Sequence, residues 1–364
     1  MIVSTESDIR NSLKTLTIPL IERSVDEVGK VAAIKLNNDG VSIAIELGFP
    51  AVSLIADIRE AVSAHLRAEC GVDTTDVEVT SKIAAHGVQR NLKPLPDVRN
   101  VIAVASGKGG VGKSTTAVNL ALALAVDGAS VGILDADIYG PSIPLMLGVS
   151  GVHPTSEDGQ SLDPIEAYGM QVMSIGFLIE SDQPMAWRGP MVTQALNQML
   201  QQTQWNDLDY LIVDMPPGTG DIQLTLSQQV PVSGAVIVTT PQDIALLDAR
   251  KGLQMFRKVS VPVLGIVENM STHICTNCGH EEPLFGQGGG KQMAQEYDVE
   301  LLGQLPLEIT IREQTDSGRP CVIADPQGAP ASSYRQTAMR MTAGLAMRGR
   351  DYSSKFPNII VENT

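Results

Sequence analysis

The chain has 364 residues, of which 43% are hydrophobic, and its 41 acidic and 26 basic residues give a formal net charge of −15. This length suffices for two domains, and the hydrophobic content excludes a disordered chain. The acidic balance argues against a protein that coats nucleic acid or an anionic membrane, so we expect neither as a partner.

The sequence carries no sign of a membrane segment or an export signal. No apolar stretch reaches the length of about 18–20 residues that a spanning helix needs. Residues 1–6 lack the positive and apolar regions of a signal peptide. We therefore expect a cytoplasmic protein, in which the cysteines do not form structural disulfides. The cysteines are Cys70, Cys275, Cys278 and Cys321.

Residues 1–88 are predicted to form a small α+β domain, because strand-like alternation and helix-like apolar spacing both occur there. The predicted elements are strands at 31–36, 41–47 and 77–79 and a helix at 53–69. Two prolines and mixed charge near the end of this region indicate a linker over residues 89–99.

From residue 100 onward, short apolar runs alternate with helical patterns, which predicts an α/β domain with a doubly wound, mostly parallel sheet over residues 100–345. Ligands of such sheets bind at the carboxyl ends of the strands. Residues 346–364 lack periodicity and are predicted to form a loose C-terminal tail. The predicted buried strands include 101–105, 131–134, 211–213, 235–238 and 263–267.

A glycine-rich segment at 107–115 lies between the first of these runs and an Ala/Leu-rich segment. Its pattern, G-x-x-x-x-G-K-[ST], in a strand–loop–helix context predicts a P-loop, whose backbone N–H groups and helix dipole face phosphate oxygens. Lys113 is predicted to reach the β- and γ-phosphates, and the Ser114 hydroxyl to bind Mg²⁺. The predicted nucleotide-binding residues of this loop are Gly107, Lys108, Gly109, Gly110, Val111, Gly112, Lys113, Ser114 and Thr115.

Aspartates follow two of the predicted strands, where a magnesium nucleotide needs carboxylates. Asp214 ends the run 211–213 as in a Walker B motif, and we expect it to hold Mg²⁺. Asp137 is predicted to orient or deprotonate the attacking water. For Asp135 and Asp221 taken alone, an ordinary helix N-cap explains the residue as well as a nucleotide contact does.

Lys108 is a second lysine inside the loop, where an ordinary P-loop needs none. One interpretation is a solvated lysine on an exposed loop. The other is a catalytic lysine that neutralises charge developing on the γ-phosphate, as an arginine finger does, in its own nucleotide or in that of a partner subunit.

Cys275 and Cys278 form a C-x-x-C pair in a short polar segment. Two thiolates at this spacing can hold a soft metal centre, but zinc and 4Fe–4S sites need four ligands, and the sequence has no second C-x-x-C. The simplest completion is a two-fold dimer in which each chain supplies both cysteines. A zinc site completed by His273 or His280 and a redox dithiol are the alternatives.

The P-loop resembles the deviant Walker A motif of the MinD/ParA/nitrogenase-iron-protein class of ATPases. Further segments resemble the Mrp (ApbC) branch of that class, the iron–sulfur cluster carriers, over roughly residues 97 to 345. These segments begin at Asp135 (DADIYGPS), Trp187 (WRGPM), Asp214 (DMPPGTGD), Thr240 (TPQD) and Glu268 (ENMS).

The resemblance implies an ATP-hydrolysing protein that holds a labile 4Fe–4S cluster between the cysteine pairs of a homodimer and transfers it to apo iron–sulfur proteins. It also implies that Lys108 reaches the partner's nucleotide and that Asn269 contacts the adenine. The principal alternative is a MinD- or ParA-like positioning ATPase acting on membrane or DNA, and another is a non-enzymatic scaffold bridged by zinc.

The N-terminal region resembles, more faintly, the small iron–sulfur assembly domain that often precedes such ATPases. That family often has a cysteine near a proline, whereas this chain has Phe49 before Pro50 and Ala51 after it. We therefore expect the N-terminal domain to be a docking module rather than a catalytic one.

Overall fold

The computed structural model describes residues 5–37, 40–89, 92–156, 158–178, 189–275 and 277–349. A three-stranded sheet forms in the N-terminal part of the chain, and an eight-stranded sheet forms in the remainder. Each sheet has its own cluster of buried hydrophobic residues.

The N-terminal sheet pairs β3 with β4 antiparallel and β4 with β5 parallel, so the predicted strands at 31–36, 41–47 and 77–79 are confirmed. A capping box between Thr5 and Asp8 begins the first helix, which periodicity did not predict. Gly71, at φ 63°, ends the predicted long helix in a left-handed C-cap. The elements are α1 (Glu6–Lys14), β1 (Thr17–Ile18), β2 (Arg23–Ser24), α2 (Val25–Val28), β3 (Gly29–Asn37), β4 (Gly40–Leu47), α3 (Ile55–Cys70) and β5 (Thr75–Ser81).

The larger unit alternates strands and helices, as its sequence predicts, and every predicted strand is present. Its elements begin with β6 (Val98–Ala105), α4 (Lys113–Val126), β7 (Val131–Asp135), α5 (Ile143–Met146), β8 (Ile165–Ala167), β9 (Met170–Ser174), α6 (Gly189–Gln202), β10 (Leu208–Asp214) and α7 (Asp221–Gln229). They continue with β11 (Gly234–Thr239), α8 (Asp243–Lys258), β12 (Val263–Glu268), β13 (His273–Ile274), β14 (Glu281–Glu282), α9 (Gly289–Glu296), β15 (Glu300–Gln304), α10 (Ile309–Asp316), α11 (Cys321–Ala324) and α12 (Ala329–Ala346).

The eight strands lie in the order β15-β12-β11-β6-β10-β7-β9-β8, and all neighbouring pairs are parallel except β8 with β9. Every residue of β7, β11 and β12 is buried, which requires cover on both faces of the sheet. The predicted doubly wound, mostly parallel sheet is therefore confirmed. The P-loop follows β6, and the Asp137 and Asp214 segments follow β7 and β10, so all three lie at the same carboxyl edge.

The two units contact each other through α4 and α12. Met339 and Ala343 of α12 are buried in the N-terminal hydrophobic cluster. The Ser53 backbone N–H donates to Asp127 Oδ1 at the end of α4 over 3.0 Å. The N-terminal unit thus packs at the end of the P-loop helix that lies away from the phosphates, about 20 Å along the helix axis.

The predicted linker and the predicted C-terminal tail both overlap regular elements of the structure. The strand β6 begins at Val98, inside the predicted linker 89–99. The predicted tail 346–364 begins at the last residue of α12, and residues 350–364 lie outside the described part of the chain. Among the described helices, none combines the length and apolar character that crossing a bilayer demands.

Candidate functional site

The P-loop has the geometry of a phosphate cradle. Gly110 and Gly112 adopt φ values of 81° and 79°, which favour glycine over residues with a side chain, and α4 begins directly at Lys113. The Ser106 hydroxyl donates to the Lys108 carbonyl over 2.9 Å and closes the base of the loop. The loop therefore presents backbone N–H groups at the positive end of a buried helix.

Lys113 brings the two predicted aspartates together. Its Nζ lies 2.5 Å from Asp214 Oδ1, 4.0 Å from Asp137 Oδ2 and 3.2 Å from Ser114 Oγ. Lys113 is 6% exposed and the Asp214 side chain is fully buried, so this is a desolvated ion pair. The residues that sequence spacing assigned to one nucleotide site thus lie within one polar cluster.

The second oxygen of Asp214 has a different environment from the first. Oδ2 is buried and has no hydrogen-bond partner within the described residues. A buried orphan carboxylate oxygen is costly unless another group completes it. Together with the Ser114 hydroxyl it supplies the hard oxygen donors that suit hydrated Mg²⁺, so the side chains present fit that ion.

Asp135 organises the loop that carries Asp137. Its buried carboxylate accepts hydrogen bonds from the backbone N–H of Asp137 (3.1 Å), the N–H of Ser142 (3.1 Å) and of Ile143 (3.2 Å), and the Ser174 hydroxyl (3.1 Å). Burial, followed by the nearby charge of Asp214, raises the pKa of Asp135 to about 7.

Neither Asp135 nor Asp221 is a helix N-cap residue, although the sequence allowed that interpretation for both. Asp135 does bond the start of α5, but Ser142 occupies the N-cap position. Asp221 is the first residue of α7, and Gly220 is the N-cap.

Burial raises the pKa of Asp137, an effect that the neighbouring Lys113 ammonium opposes.

Asn269 lies directly against the P-loop. Its Nδ2 donates to the Val111 carbonyl over 2.8 Å, and its backbone N–H donates to Thr239. A Cβ on Gly112 would lie 2.2 Å from this Nδ2, so the glycine is needed for the contact. The preceding Glu268 is fully buried and accepts from Gln304 Nε2 over 2.7 Å, which fixes the end of β12.

Lys108 is half-buried, and no hydrogen bond or ion pair engages its ammonium within the described residues. Its side chain is therefore free to meet a phosphate, in contrast to Lys113, which already has a carboxylate partner.

The cysteine pair lies at the tip of the hairpin formed by β13 and β14, which follows β12. The Cys275 N–H donates to the His280 carbonyl, and the Gly279 N–H donates to the Cys275 carbonyl over 2.8 Å, with Gly279 at φ 71°. Backbone N–H groups of Cys278 and Asn277 lower the pKa of the Cys275 thiol. The turn therefore stabilises a thiolate, the form that binds metals.

The other candidate metal ligands do not join this pair. Among the described residues, no group of three or more His, Cys, Asp or Glu side chains is placed to hold a metal ion. His273 Nδ1 lies 3.0 Å from the Leu307 carbonyl, which occupies one of its ring nitrogens. Cys70 and Cys321 are buried, and burial raises the pKa of Cys321 to about 12.

Sequence reasoning missed Ser174 and did not find the hydrogen-bond partners of two further residues that support the site, Glu268 and Asp135. Ser174 comes from β9, which has no continuous apolar run to reveal it. Glu268 stood inside a recognised segment, but only the fold shows the partners of its carboxylate. Asp135 was noticed without its four donors. Trp187 and Arg188, part of a recognised segment, lie outside the described residues.

Two family models match this chain, one in each of its two units. A model of the ParA group, described as NUBPL iron-transfer P-loop NTPase, matches residues 97–342, and a model described as iron-sulfur cluster assembly protein matches residues 6–79. The chain is 51% identical to the iron-sulfur cluster carrier protein of Escherichia coli K12 over 341 residues, covering 94% of this chain and 92% of that protein. It is 52% identical to the iron-sulfur cluster transfer protein NUBPL of Mus musculus over 267 residues, covering 73% and 83%.

Solved structures resemble the larger unit. A nucleotide-binding protein from Archaeoglobus fulgidus in complex with ADP is 38% identical, with a TM-score of 0.57 over 64% of this chain and 90% of that chain. The cell division ATPase MinD of Pyrococcus furiosus, 22% identical with a TM-score of 0.50 over 66% of this chain and 98% of that chain, shares the fold alone. Both the domain match and the relatives lead to one conclusion: this chain belongs to the NUBPL iron-transfer family of P-loop NTPases.

Proposed function

We propose that this protein is an ATP-hydrolysing carrier that holds a labile 4Fe–4S cluster at a homodimer interface and transfers it to apo iron–sulfur proteins. One observation carries the proposal. A nucleotide site and a two-ligand cysteine hairpin lie at the same carboxyl edge of one sheet, following β6 and β12. The names of the relatives, iron-sulfur cluster carrier and transfer proteins, support the same cargo.

Nucleotide binding exchanges the partner of Lys113. Its ammonium leaves Asp214 Oδ1, now 2.5 Å away, and pairs with the β- and γ-phosphates while the loop N–H groups surround them. When bound, Mg²⁺ neutralises charge on the β- and γ-phosphates, and Ser114 and Asp214 are the residues that would hold it. Lys108 adds positive charge at the γ-phosphate, in its own site or the partner's.

Asp137 acts as the base in hydrolysis. Water attacks the γ-phosphorus, the bond to the β–γ bridging oxygen breaks, and Asp137 takes the proton that the water loses. Burial raises the pKa of Asp137 and so makes it a better base than an exposed aspartate. The four hydrogen bonds to Asp135 keep the loop that carries Asp137 in place.

The orientation of Asn269 supports adenine as the base. One N–H of its Nδ2 donates to the Val111 carbonyl, which fixes the orientation of the amide and leaves Oδ1 to accept a hydrogen bond from a nucleobase. A carbonyl oxygen accepts from the exocyclic amine of adenine, whereas guanine carries a carbonyl at the corresponding position. ATP is therefore favoured over GTP.

The cysteine hairpin supports a shared cluster site. Cys275 and Cys278 supply two of the four thiolates that a 4Fe–4S cluster needs, and no further ligand joins them within the described residues. A two-fold axis through the hairpin brings in the same pair from a second copy. Cys275 is half-buried and Cys278 is exposed, which leaves the cluster open to an acceptor protein and suits a carrier better than a permanent electron-transfer site.

We further propose a division into an assembly-type domain at 1–88 and an ATPase domain at 100–345, joined by the linker 89–99, whose last two residues, Val98 and Arg99, already belong to β6. The two separate hydrophobic cores and the two family matches support it. In this arrangement the N-terminal domain binds assembly factors or apo-proteins. A cytoplasmic location, and the absence of nucleic acid and membrane from the partners, stay predictions.

The test is anaerobic reconstitution with ferrous iron and sulfide, followed by iron and sulfide analysis, visible absorption and transfer to an apo-ferredoxin. The wild type is expected to gain one 4Fe–4S cluster per dimer, and Cys278→Ala to gain none. Cys321→Ala is the matched control, since Cys321 is buried against Asn119 away from the hairpin. An intact cluster in Cys278→Ala, or zinc retained in its place by the wild type, would refute the proposal.

A further inference from the structure

Asp127 joins the larger unit to the N-terminal unit at the end of α4. Its Oδ1 accepts a hydrogen bond from the Ser53 backbone N–H over 3.0 Å, and its carbonyl oxygen accepts from the Val52 N–H over 3.4 Å. These two N–H groups belong to a short 3-10 helix, Val52–Leu54, that leads directly into α3. Ala51, at the N-cap position of this helix, has no side-chain oxygen. Asp127 therefore supplies, from the other unit, the cap that the N-terminal unit lacks.

Asp127 is an unfavourable residue for its own helix. It is the C-cap of α4, where the negative end of the helix dipole repels a carboxylate. It is 2% exposed, and its Oδ2 is buried without a hydrogen-bond partner in the part of the chain that the structure describes. Burial raises the pKa of Asp127, and the positive charge of Arg335 on α12 offsets this only in part. Within the larger unit the residue thus costs stability, and the contact with the N-terminal unit compensates for it.

The β4–α3 connection, residues 48–54, is held between the ends of two helices. A Cβ on Gly128, just after α4, would lie 2.9 Å from Val52 Cγ2. A Cβ on Gly48 would lie 3.0 Å from the Cβ of Ala346, the last residue of α12. Because α12 also packs against α4, a displacement of α4 reaches this connection from both sides.

The helix α4 extends without a break from the phosphate cradle to this contact. It begins at Lys113 of the P-loop and ends at Val126, next to Asp127. Ten of its 14 residues are buried, so a shift at one end moves the helix as a rigid body. Phosphate bound by the N–H groups at the first end anchors the helix whose other end carries the cap.

We propose that Asp127 is the positioning residue that transmits occupancy of the P-loop along α4 to the N-terminal unit, so that nucleotide tightens the docking of the β4–α3 connection. This inference rests on the nucleotide binding in the proposed function and is independent of the cluster. Because coupling between two sites is reciprocal, release of the connection weakens nucleotide binding by the same factor. The nucleotide state thereby sets how firmly the N-terminal unit is held.

The experiment uses the full chain and four variants. Asp127→Ala removes the cap, and Asp127→Asn keeps an oxygen that can accept from the Ser53 N–H. Val52→Asp leaves α4 untouched and places a second carboxylate beside Asp127, since Val52 is 56% exposed. Asp57→Ala is the matched control, because Asp57 is an exposed acidic residue in the first turn of α3 itself. Hydrogen–deuterium exchange of residues 48–54 is measured with and without ADP and Mg²⁺, and a fluorescent ADP gives the dissociation constant.

In the wild type, ADP is expected to slow the exchange of residues 48–54 at least about fivefold. Asp127→Ala and Val52→Asp are expected to abolish this response and to raise the dissociation constant of ADP by the same factor. Asp127→Asn and Asp57→Ala are expected to keep both properties.

Three results are decisive against these statements. A wild-type response in Asp127→Ala and Val52→Asp, or a wild type that binds ADP without a change in exchange, would overturn the inference while the proposed function stands. Weaker ADP binding in Asp127→Ala with the exchange response unchanged would assign Asp127 to the stability of α4 alone and also overturn it. A wild type that binds no ADP would instead refute the proposed function itself.

Discussion

Gly112 offers the sharpest test of how the P-loop is built. The change Gly112→Ala has two separable costs. At φ 79° an alanine is strained by about 1–2 kcal/mol. Its Cβ would also lie 2.2 Å from Asn269 Nδ2, so the amide must leave the Val111 carbonyl.

Losing that hydrogen bond costs about 1 kcal/mol more. The total of about 2–3 kcal/mol corresponds to a fall in melting temperature of about 5–10 °C for a unit of this size. Because Asn269 then loses its fixed orientation, the preference for ADP over GDP should also narrow. Thermal unfolding followed by circular dichroism, and competition binding with both nucleotides, measure the two effects.

Gly109→Ala is the matched control in the same loop. Its φ is not positive, and an added Cβ would meet nothing within 4 Å. We expect its melting temperature and its ADP preference to stay close to those of the wild type. If Gly112→Ala matches Gly109→Ala in both measurements, the argument from backbone conformation and the Asn269 contact is wrong.

Three further predictions concern the charged groups and the base contact. Lys113→Ala should abolish measurable ATP hydrolysis and lower the free energy of unfolding by about 3 kcal/mol, because Asp214 is left buried without its cation. Phosphate release measures the hydrolysis and denaturant unfolding measures the stability. Hydrolysis at the wild-type rate would contradict the role of Lys113. The pKa of Asp135 is raised to about 7 in the folded protein, against 3.8 in the unfolded chain, so its contribution to folding stability is greatest below pH 3.8 and is lost as the pH rises to about 7. Asp135→Asn should therefore flatten the dependence of the unfolding free energy on pH between 3.8 and 7. Identical pH slopes in the variant and the wild type would count against the raised pKa. Asn269→Ala should weaken ADP binding about tenfold with a smaller effect on GDP, and equal losses for both nucleotides would show that the amide does not select the base.

The local chemistry of the sequence determined most of the nucleotide site. A P-loop needs its glycines, lysine and hydroxyl side by side, so the segment 107–115 and its flanking strand and helix could be recognised without a fold. Parallel strands such as β11 and β12 could also be recognised, because strands that are buried on both faces are continuous apolar runs in the sequence. The C-x-x-C spacing likewise predicts, without a fold, two thiolates that can hold one soft metal centre.

Edge strands and long-range partners left weaker signals. Only Leu302 of β15 is fully buried, because the strand lies at the edge of the sheet, and its apolar run is correspondingly short. The partners of Asp135 come from residues up to 39 positions away, and Asn269 meets Val111 across 158 positions. No pattern in the sequence encodes those distances.

The sequence by itself thus determined which groups can handle phosphate and thiolate chemistry, since those properties belong to neighbouring residues. Tertiary structure decided how they are used. It pairs Lys113 with Asp214 and directs the Asn269 amide to the Val111 carbonyl of the P-loop. It also packs Gly107 and Gly289 against α8. These contacts depend on the packing of strands that are distant in the chain, and packing is set only when the whole sheet has formed.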